Sequence, residues 1–411
     1  MMKITLFRSL TQRSFAFLWS GQAISALGDS LYRVALAWWV LEKTGSATIM
    51  GIVLIFSFIP MLLFLLIGGV AVDRFSRLQV MLISDTLRGV IVLTMALLGF
   101  AQHLEVWHVY IASVLFGLVD AFFQPAYAAV IPEIMPQDLL PSANSLTVLS
   151  RQTFSVVGPA LGALIIALGN TSAAFVCDGL TFVFSACCLL MIRQIPAPDA
   201  RGKSEAPGRE PGIIADLREG IGTVIASPWI WITIVVSALA NITQSAPFSV
   251  SLPFLVTRTW HANVQVLGTL YSVYFLGSVL GAIWLGHAKK LRRRGPLAYF
   301  FVILSGLMTL SLGLPLPVGG MFVTALIRGL SFTAFELVWV NTLQELVPGK
   351  LLGRVASIDY LGSFALLPLG YAIAGRVTDL VGPPAVFLIG GLITISVAML
   401  GITHPVVRRV D

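Results

Sequence analysis

Eleven ionisable residues of this 411-residue chain sit inside long runs that are otherwise almost free of charge. In the first half they are Asp29, Arg33, Asp85, Arg88, Asp120, Arg151 and Asp178; in the second, Arg328, Glu336, Asp359 and Arg376. On insertion scales a charge at a bilayer midplane costs at least about 2.5–3.5 kcal/mol, so each must pair, snorkel or serve a function. Asp29 and Arg33 lie four apart and can pair along one helix face. Asp85 and Arg88, three apart near a helix end, read as a structural pair with easy access to the interface. Asp120 has no partner on its own run, and Arg151 is its cross-helix candidate; Arg328 and Asp359 complete the ion-pair candidates. A carboxylate stripped of water holds its proton more readily and can exchange it near neutrality. That chemistry suits coupling to a proton gradient.

The elements that position these groups follow from composition. The chain is 57% hydrophobic and 11% charged, against about 45–50% and about 25% in soluble domains, and its mean hydropathy is +0.91. A soluble enzyme, a disordered chain and a secreted disulfide scaffold are excluded. Continuous apolar runs of roughly 20 residues or more fit membrane helices and not the short alternating segments of a barrel. The expected fold is an all-α polytopic membrane protein with twelve spans near 15–41, 47–72, 79–100, 106–131, 143–168, 171–192, 229–256, 264–286, 297–314, 319–343, 352–380 and 384–402. Residues 1–192 and 225–411 form two six-helix bundles. The stretch 193–224 is a solvated linker between them, with Pro196, Pro198, Pro207 and Pro211 among its charges.

Nineteen of the 26 Lys and Arg residues fall on one side of this topology and two on the other. The positive-inside rule then puts both termini in the cytoplasm. The net charge of +7 is a topology signal, so no nucleic-acid partner is expected. The first span acts as its own uncleaved signal. Cys177, Cys187 and Cys188 share one span and read as packing. The five histidines lie in loops or at helix ends, which leaves no buried metal site. No zinc-protease, nucleophile-elbow or Walker motif is present, so neither an enzyme nor a cofactor is expected.

An internal repeat is visible. Residues 117–163 align without a gap on 329–375, with eleven matches in 47 positions. Seven are not leucine: Gly117/Gly329, Phe123/Phe335, Glu133/Glu345, Pro136/Pro348, Ser145/Ser357, Gly158/Gly370 and Ala160/Ala372. Two parallel halves related by an axis along the membrane normal produce such a pattern.

The loop after the second span reads Gly68-Gly69-Val70-Ala71-Val72-Asp73-Arg74-Phe75-Ser76-Arg77. Here the chain resembles the major facilitator superfamily, whose motif is Gly-x-x-x-Asp-Arg/Lys-x-Gly-Arg: Gly69, Asp73, Arg74 and Arg77 match, and Ser76 replaces the usual Gly. Gly68 and Gly69 are expected to let helices approach closely. Asp73 is expected to face the N-terminus of the eleventh span near Gly353, and Arg77 to reach Glu133, as a cytoplasmic gate. The run from Leu18 to Asp29 looks like the bacterial branch holding macrolide efflux pumps and the enterobactin exporter. Gly158, Pro159 and Gly162 are similar to an exporter motif of the fifth span, with Ala163 in place of its last Gly. The arginine that many drug/proton antiporters carry in the fourth span is absent.

The resemblance implies a substrate site between the halves at midplane, alternating access, and a cavity lined by spans 1, 4, 7 and 10. Asp29, Asp120 and Glu336 are therefore the proton-coupling candidates. Span 7, interrupted by Pro247 and Pro253, offers Asn241 and Gln244, and span 8 offers Tyr271 and Tyr274, as substrate-cavity candidates. The expected function is export of amphipathic small molecules (a drug, macrolide or siderophore) in exchange for protons. The expected location is a bacterial cytoplasmic (inner) membrane, with the lipid bilayer and the small molecule as partners and a monomer as the working unit. An importer or a lysophospholipid or lipid transporter of the same fold is the alternative.

Overall fold

The computed structural model describes residues 5–192, 213–287 and 292–411. Among them there are helices and no strands. After a 3-10 turn at Thr5–Thr11, the first half comprises α1 (Arg13–Thr44), α2 (Ala47–Arg74), α3 (Arg77–Phe100), α4 (Val106–Ile134), α5 (Leu140–Leu168) and α6 (Thr171–Leu190). Then come α7 (Ile213–Ala226), α8 (Pro228–Ala240), α9 (Ala246–Val250), α10 (Leu252–Phe254), α11 (Val264–Gly286) and α12 (Arg294–Leu312). The chain closes with α13 (Val318–Leu346), α14 (Gly349–Phe364), α15 (Leu367–Val381), α16 (Pro383–Thr403) and α17 (Pro405–Arg408). Eleven helical stretches among the described residues are long and apolar enough to cross a membrane. The 32-residue α1 is also long enough but carries five charges, Arg13, Asp29, Arg33, Glu42 and Lys43.

Three elements refine the expected spans, and two of them depart from expectation. The interruption expected in the seventh span takes the form of π-turns at Asn241–Ser245 and Leu255–Thr259. Pro247 and Pro253 lack the N–H that an α-helical ladder needs, so the turn beside each widens. The eleventh span breaks at Ala365–Leu366 into α14 and α15, because Pro368 has no N–H to offer Phe364. Part of the supposed linker is a helix. α7 starts at Ile213, buries Val224, and ties Glu219 to Arg354 of α14 by an ion pair. Residues 193–212 of the linker lie outside the described residues.

Cα proximity separates two compact units. Unit 1 comprises Met1–Gly45, Ile52–Glu205 and Val264–Ser272; unit 2 comprises Ser46–Gly51, Ala206–Asn263 and Val273–Asp411. In unit 1, α1 packs along α5 and α6, and α3 along α4 and α6. Phe15, Met81, Val130 and Leu146 anchor its core. In unit 2, α12 packs along α13 and α16 around Tyr299, Val302 and Val338. At one end of unit 2, Asp379 of α15 caps α2, accepting from Ala47 N (2.9 Å), Thr48 N (2.9 Å) and Ser46 Oγ (2.7 Å).

The repeat reappears as helix contacts. A Cβ added to Gly117 of α4 would strike the carbonyl of Ser57 in α2; one on Gly329 of α13 would strike that of Tyr274 in α11. Gly158 presses on Ser30 of α1, and Gly370, 212 residues on, presses on Ile242, itself 212 after Ser30. Gly179 and Gly391 meet Leu93 and Leu310 in the same way. Small residues at these points let backbones touch. Gly117→Val and Gly329→Val are each expected to cost about 1–3 kcal/mol or more by overpacking, lowering the melting temperature in detergent. Gly222→Ala, whose added Cβ meets nothing within 4 Å, is expected to be neutral or slightly stabilising through helix propensity.

Candidate functional site

Each unit holds its own cavity. That of unit 1, about 480 Å³, is lined by charge: Asp29 and Arg33 from α1, Arg88 from α3, Asp120 from α4, and Arg151 from α5. Arg88 is its hub. It is 3% exposed and forms an ion pair with Asp120 through Nη2. Its Nη1 lies 3.9 Å from Asp85, and its guanidinium sits 4.1 Å from the Phe123 ring centroid. Asp85, fully buried, also accepts from Gln22 Nε2 (3.1 Å) and Ser185 Oγ (2.7 Å).

The partner expected for Asp120 is corrected: Arg88 holds it, and Arg151 lies instead over the Tyr127 ring, 5.9 Å from its centroid. One face of α4 reaches α3 before it reaches α5, a fact of packing order that spacing within one helix does not carry. Arg33 likewise donates to Ser30 Oγ (2.7 Å), one turn back. Asp29 remains half-buried at the cavity wall.

The exporter-like motif of α5 works on two faces. Gly158 and Gly162 admit Ser30 and Leu31 of α1, while Pro159 and Ala163 face Gly268 of α11. Ser272 Oγ accepts from the Ala160 amide (3.1 Å).

The unit 2 cavity, about 530 Å³, is of another kind. Glu336 of α13 and Asp359 of α14 are set among Phe332, Phe335, Trp339 and Tyr360. Trp339 Nε1 donates to both Asp359 oxygens (3.1 and 3.2 Å). Asn241 and Gln244 line the wall, but their side chains are committed: Asn241 Nδ2 donates to Ser363 O (2.9 Å), and Gln244 Oε1 accepts from Ser305 (2.5 Å) and Thr309 (3.3 Å). Arg328, 2% exposed, donates to Thr309 Oγ1 (3.1 Å) and to Gln244 O (3.0 Å) in the π-turn. Its guanidinium lies over Phe248 (4.1 Å) and Tyr274 (5.1 Å). Tyr274 packs on Phe248, with centroids 4.7 Å apart, and so belongs to this buried stack. Tyr271, half-buried, belongs to unit 1.

At the start of α3, Arg77 pairs with Glu133. The repeat carries the same pair in unit 2, where Arg294 meets Glu345, so the contact clamps each unit internally. Gly68 gives close approach to Ala121, whereas Gly69 meets nothing within 4 Å, against expectation. Arg74 is exposed. The Asp73 side chain lies outside the described residues.

Sequence reasoning paired Arg88 with Asp85 alone and left out the aromatic lining of unit 2. A signal for the lining existed: Phe332, Phe335 or Glu336, and Trp339 recur every three or four residues on α13, as do Ala356, Asp359 or Tyr360, and Ser363 on α14.

The fold is an all-helical membrane fold with a charged cavity in one unit and an aromatic one in the other. The chain belongs to the Major Facilitator Superfamily, whose family model matches residues 18–358. It is 25% identical over 401 residues to macrolide efflux protein A of Streptococcus pyogenes, covering 97% of each chain. It is 27% identical over 394 residues to the multidrug efflux pump Tap of Mycolicibacterium fortuitum, covering 93% of this chain and 94% of that one. Among solved structures, the nucleoside transporter NupG superposes with a TM-score of 0.76 at 11% identity, over 95% of this chain and 98% of that one. A bacterial homologue of the iron transporter ferroportin gives 0.70 at 13% identity, over 94% and 98%. These two likenesses concern the fold.

Proposed function

We propose that the chain exports amphipathic, cationic or neutral small molecules across a bacterial cytoplasmic membrane in exchange for protons. The observation that carries this reading is the unit 2 cavity, where two carboxylates stand among aromatic rings. Rings and carboxylates together attract a cation with an apolar body. Full-length similarity to proteins named for macrolide and multidrug efflux supports the same direction. Transport proceeds by alternating access in a monomer of two six-helix bundles, 1–192 and 225–411, with both termini cytoplasmic. Gly69, Asp73, Arg74 and Arg77 act at the cytoplasmic gate.

Protons enter the scheme through Asp29 and Asp120 in the unit 1 cavity, with Glu336 as the candidate in unit 2. Cells making the protein are expected to accumulate less of a cationic dye or macrolide than cells lacking it, and collapse of the proton gradient removes the difference. Asp29→Asn or Asp120→Asn is expected to lower pH-driven efflux by about tenfold, or ~1.4 kcal/mol. Efflux that persists without the gradient, or that is unchanged in both variants, overturns the proton exchange.

A further inference from the structure

Three arginines and two aspartates line the unit 1 cavity. Arg88 is taken up by Asp120 and by Asp85 behind it. Arg33 and Arg151 line the same wall, and among the described residues neither is in an ion pair. Asp29 is the other acid at the wall; it and Asp178, which lies off the cavity, act on Arg33 only at longer range. A guanidinium keeps its charge at any ordinary pH. Inside a membrane bundle such a charge marks a ligand or ion path unless a partner explains it.

Both side chains are held in place. Arg33 Nη2 donates to Ser30 Oγ (2.7 Å), whose hydroxyl donates in turn to Ala26 O (3.1 Å). Arg151 lies over the Tyr127 ring (5.9 Å). Among the described residues these contacts leave most of the N–H donors of each guanidinium unspent. Aromatic rings stand beside them. Tyr32 stacks on Phe116, with centroids 5.1 Å and planes 11° apart, and Trp19 and Tyr127 also line the wall. A volume of about 480 Å³ falls within the range of small-molecule sites, about 300–1,000 Å³.

The fold does not require a cation at either position. In the 212-residue register of the repeat, Arg33 corresponds to Ser245 and Arg151 to Ser363, and both serines line the unit 2 cavity. Tyr127, beneath Arg151, corresponds to Trp339, which in unit 2 donates to Asp359 instead. The same positions face a cavity in each unit, with arginines beside the rings in one and carboxylates beside them in the other.

We infer that the unit 1 cavity is a binding site for an organic carboxylate with an aromatic body, gripped by Arg33 and Arg151. The planar guanidinium fork matches a carboxylate in shape and charge, and the rings receive the apolar body. A monoanion is favoured over a phosphate dianion because Asp29 shares the wall and repels further negative charge. This ligand class is distinct from the cationic and neutral molecules assigned to unit 2, and the site does not depend on protons driving transport.

The test is calorimetric titration of the purified full-length chain with naphthoate and with its uncharged amide, naphthamide. Wild type is expected to bind naphthoate at least about tenfold more tightly than the amide. Arg33→Gln and Arg151→Gln are each expected to weaken naphthoate by about tenfold or more, and to change the amide by less than about threefold. Arg33→Ser and Arg151→Ser, which install the side chains of unit 2, give the same readout should the glutamine variants fail to accumulate. Amide binding as tight as naphthoate in wild type means apolar partition alone and overturns the inference. Wild-type naphthoate affinity in variants that melt like wild type also overturns it. Inorganic phosphate that displaces naphthoate as well as benzoate does would make this a bare oxyanion site, and the organic-carboxylate assignment falls.

Discussion

Arg88→Ala is expected to cost about 3–5 kcal/mol of stability, because it removes the partner of a buried acid and leaves charge uncompensated. Against a typical total of about 5–15 kcal/mol, that is enough to deplete the folded protein from the membrane. The cost should fall on Asp120 more than on Asp85. Asp85 keeps Gln22 and Ser185 as donors, whereas Arg88 is the hydrogen-bond donor found for Asp120. The double variant Arg88→Ala/Asp120→Asn should therefore recover more than half of the loss in a detergent melt. Arg88→Lys should recover less, since an ammonium lacks the planar fork that spans two acids and stacks on Phe123. Equal losses in the single and double variants would mean that the arginine acts through packing on Phe123 and Phe182 alone.

The second large effect concerns selectivity. Glu336→Gln combined with Asp359→Asn should weaken efflux of a permanently cationic dye by about 30-fold, or ~2 kcal/mol. Efflux of a neutral amphiphile of similar size should change less than about threefold. The rings of Phe332, Phe335 and Tyr360 remain in place in this variant. Asp359→Asn alone should have the smaller share, because its carboxylate already accepts from Trp339. Transport assays with the two substrate classes side by side decide the point. A parallel fall for both would place the carboxylates in the support of the cavity wall.

The spans and the repeat were legible because both are written in local chemistry. Charge-poor runs mark helices in lipid, and matched glycines mark where helices touch. Arg88 was read only in part for the opposite reason: its pair with Asp85 is present, but its other partner, Asp120, lies 32 residues away on another helix. Helix neighbours are fixed by packing order, which spacing within one helix does not encode. The widened turns of the seventh span were half legible. Pro247 and Pro253 announced an interruption, but the help that Arg328 gives to the Gln244 carbonyl comes from a helix 84 residues later. α7 was hidden by its setting, since a short amphipathic helix after a proline-rich stretch reads as more of the same.

The register carried by the glycine contacts bears on how the molecule came to be. Asp29 corresponds to Asn241, Asp120 to Phe332, and Asp178 to Gly390; in the other direction, Glu336 corresponds to Gln124 and Asp359 to Thr147. The backbone-touching glycines and the Arg–Glu clamps occur in both units, while none of these five acids does. A duplicated ancestor whose copies were free to drift wherever packing did not forbid it would leave this record. One unit now holds the charged cavity and the other the aromatic one, although both keep the same helix contacts.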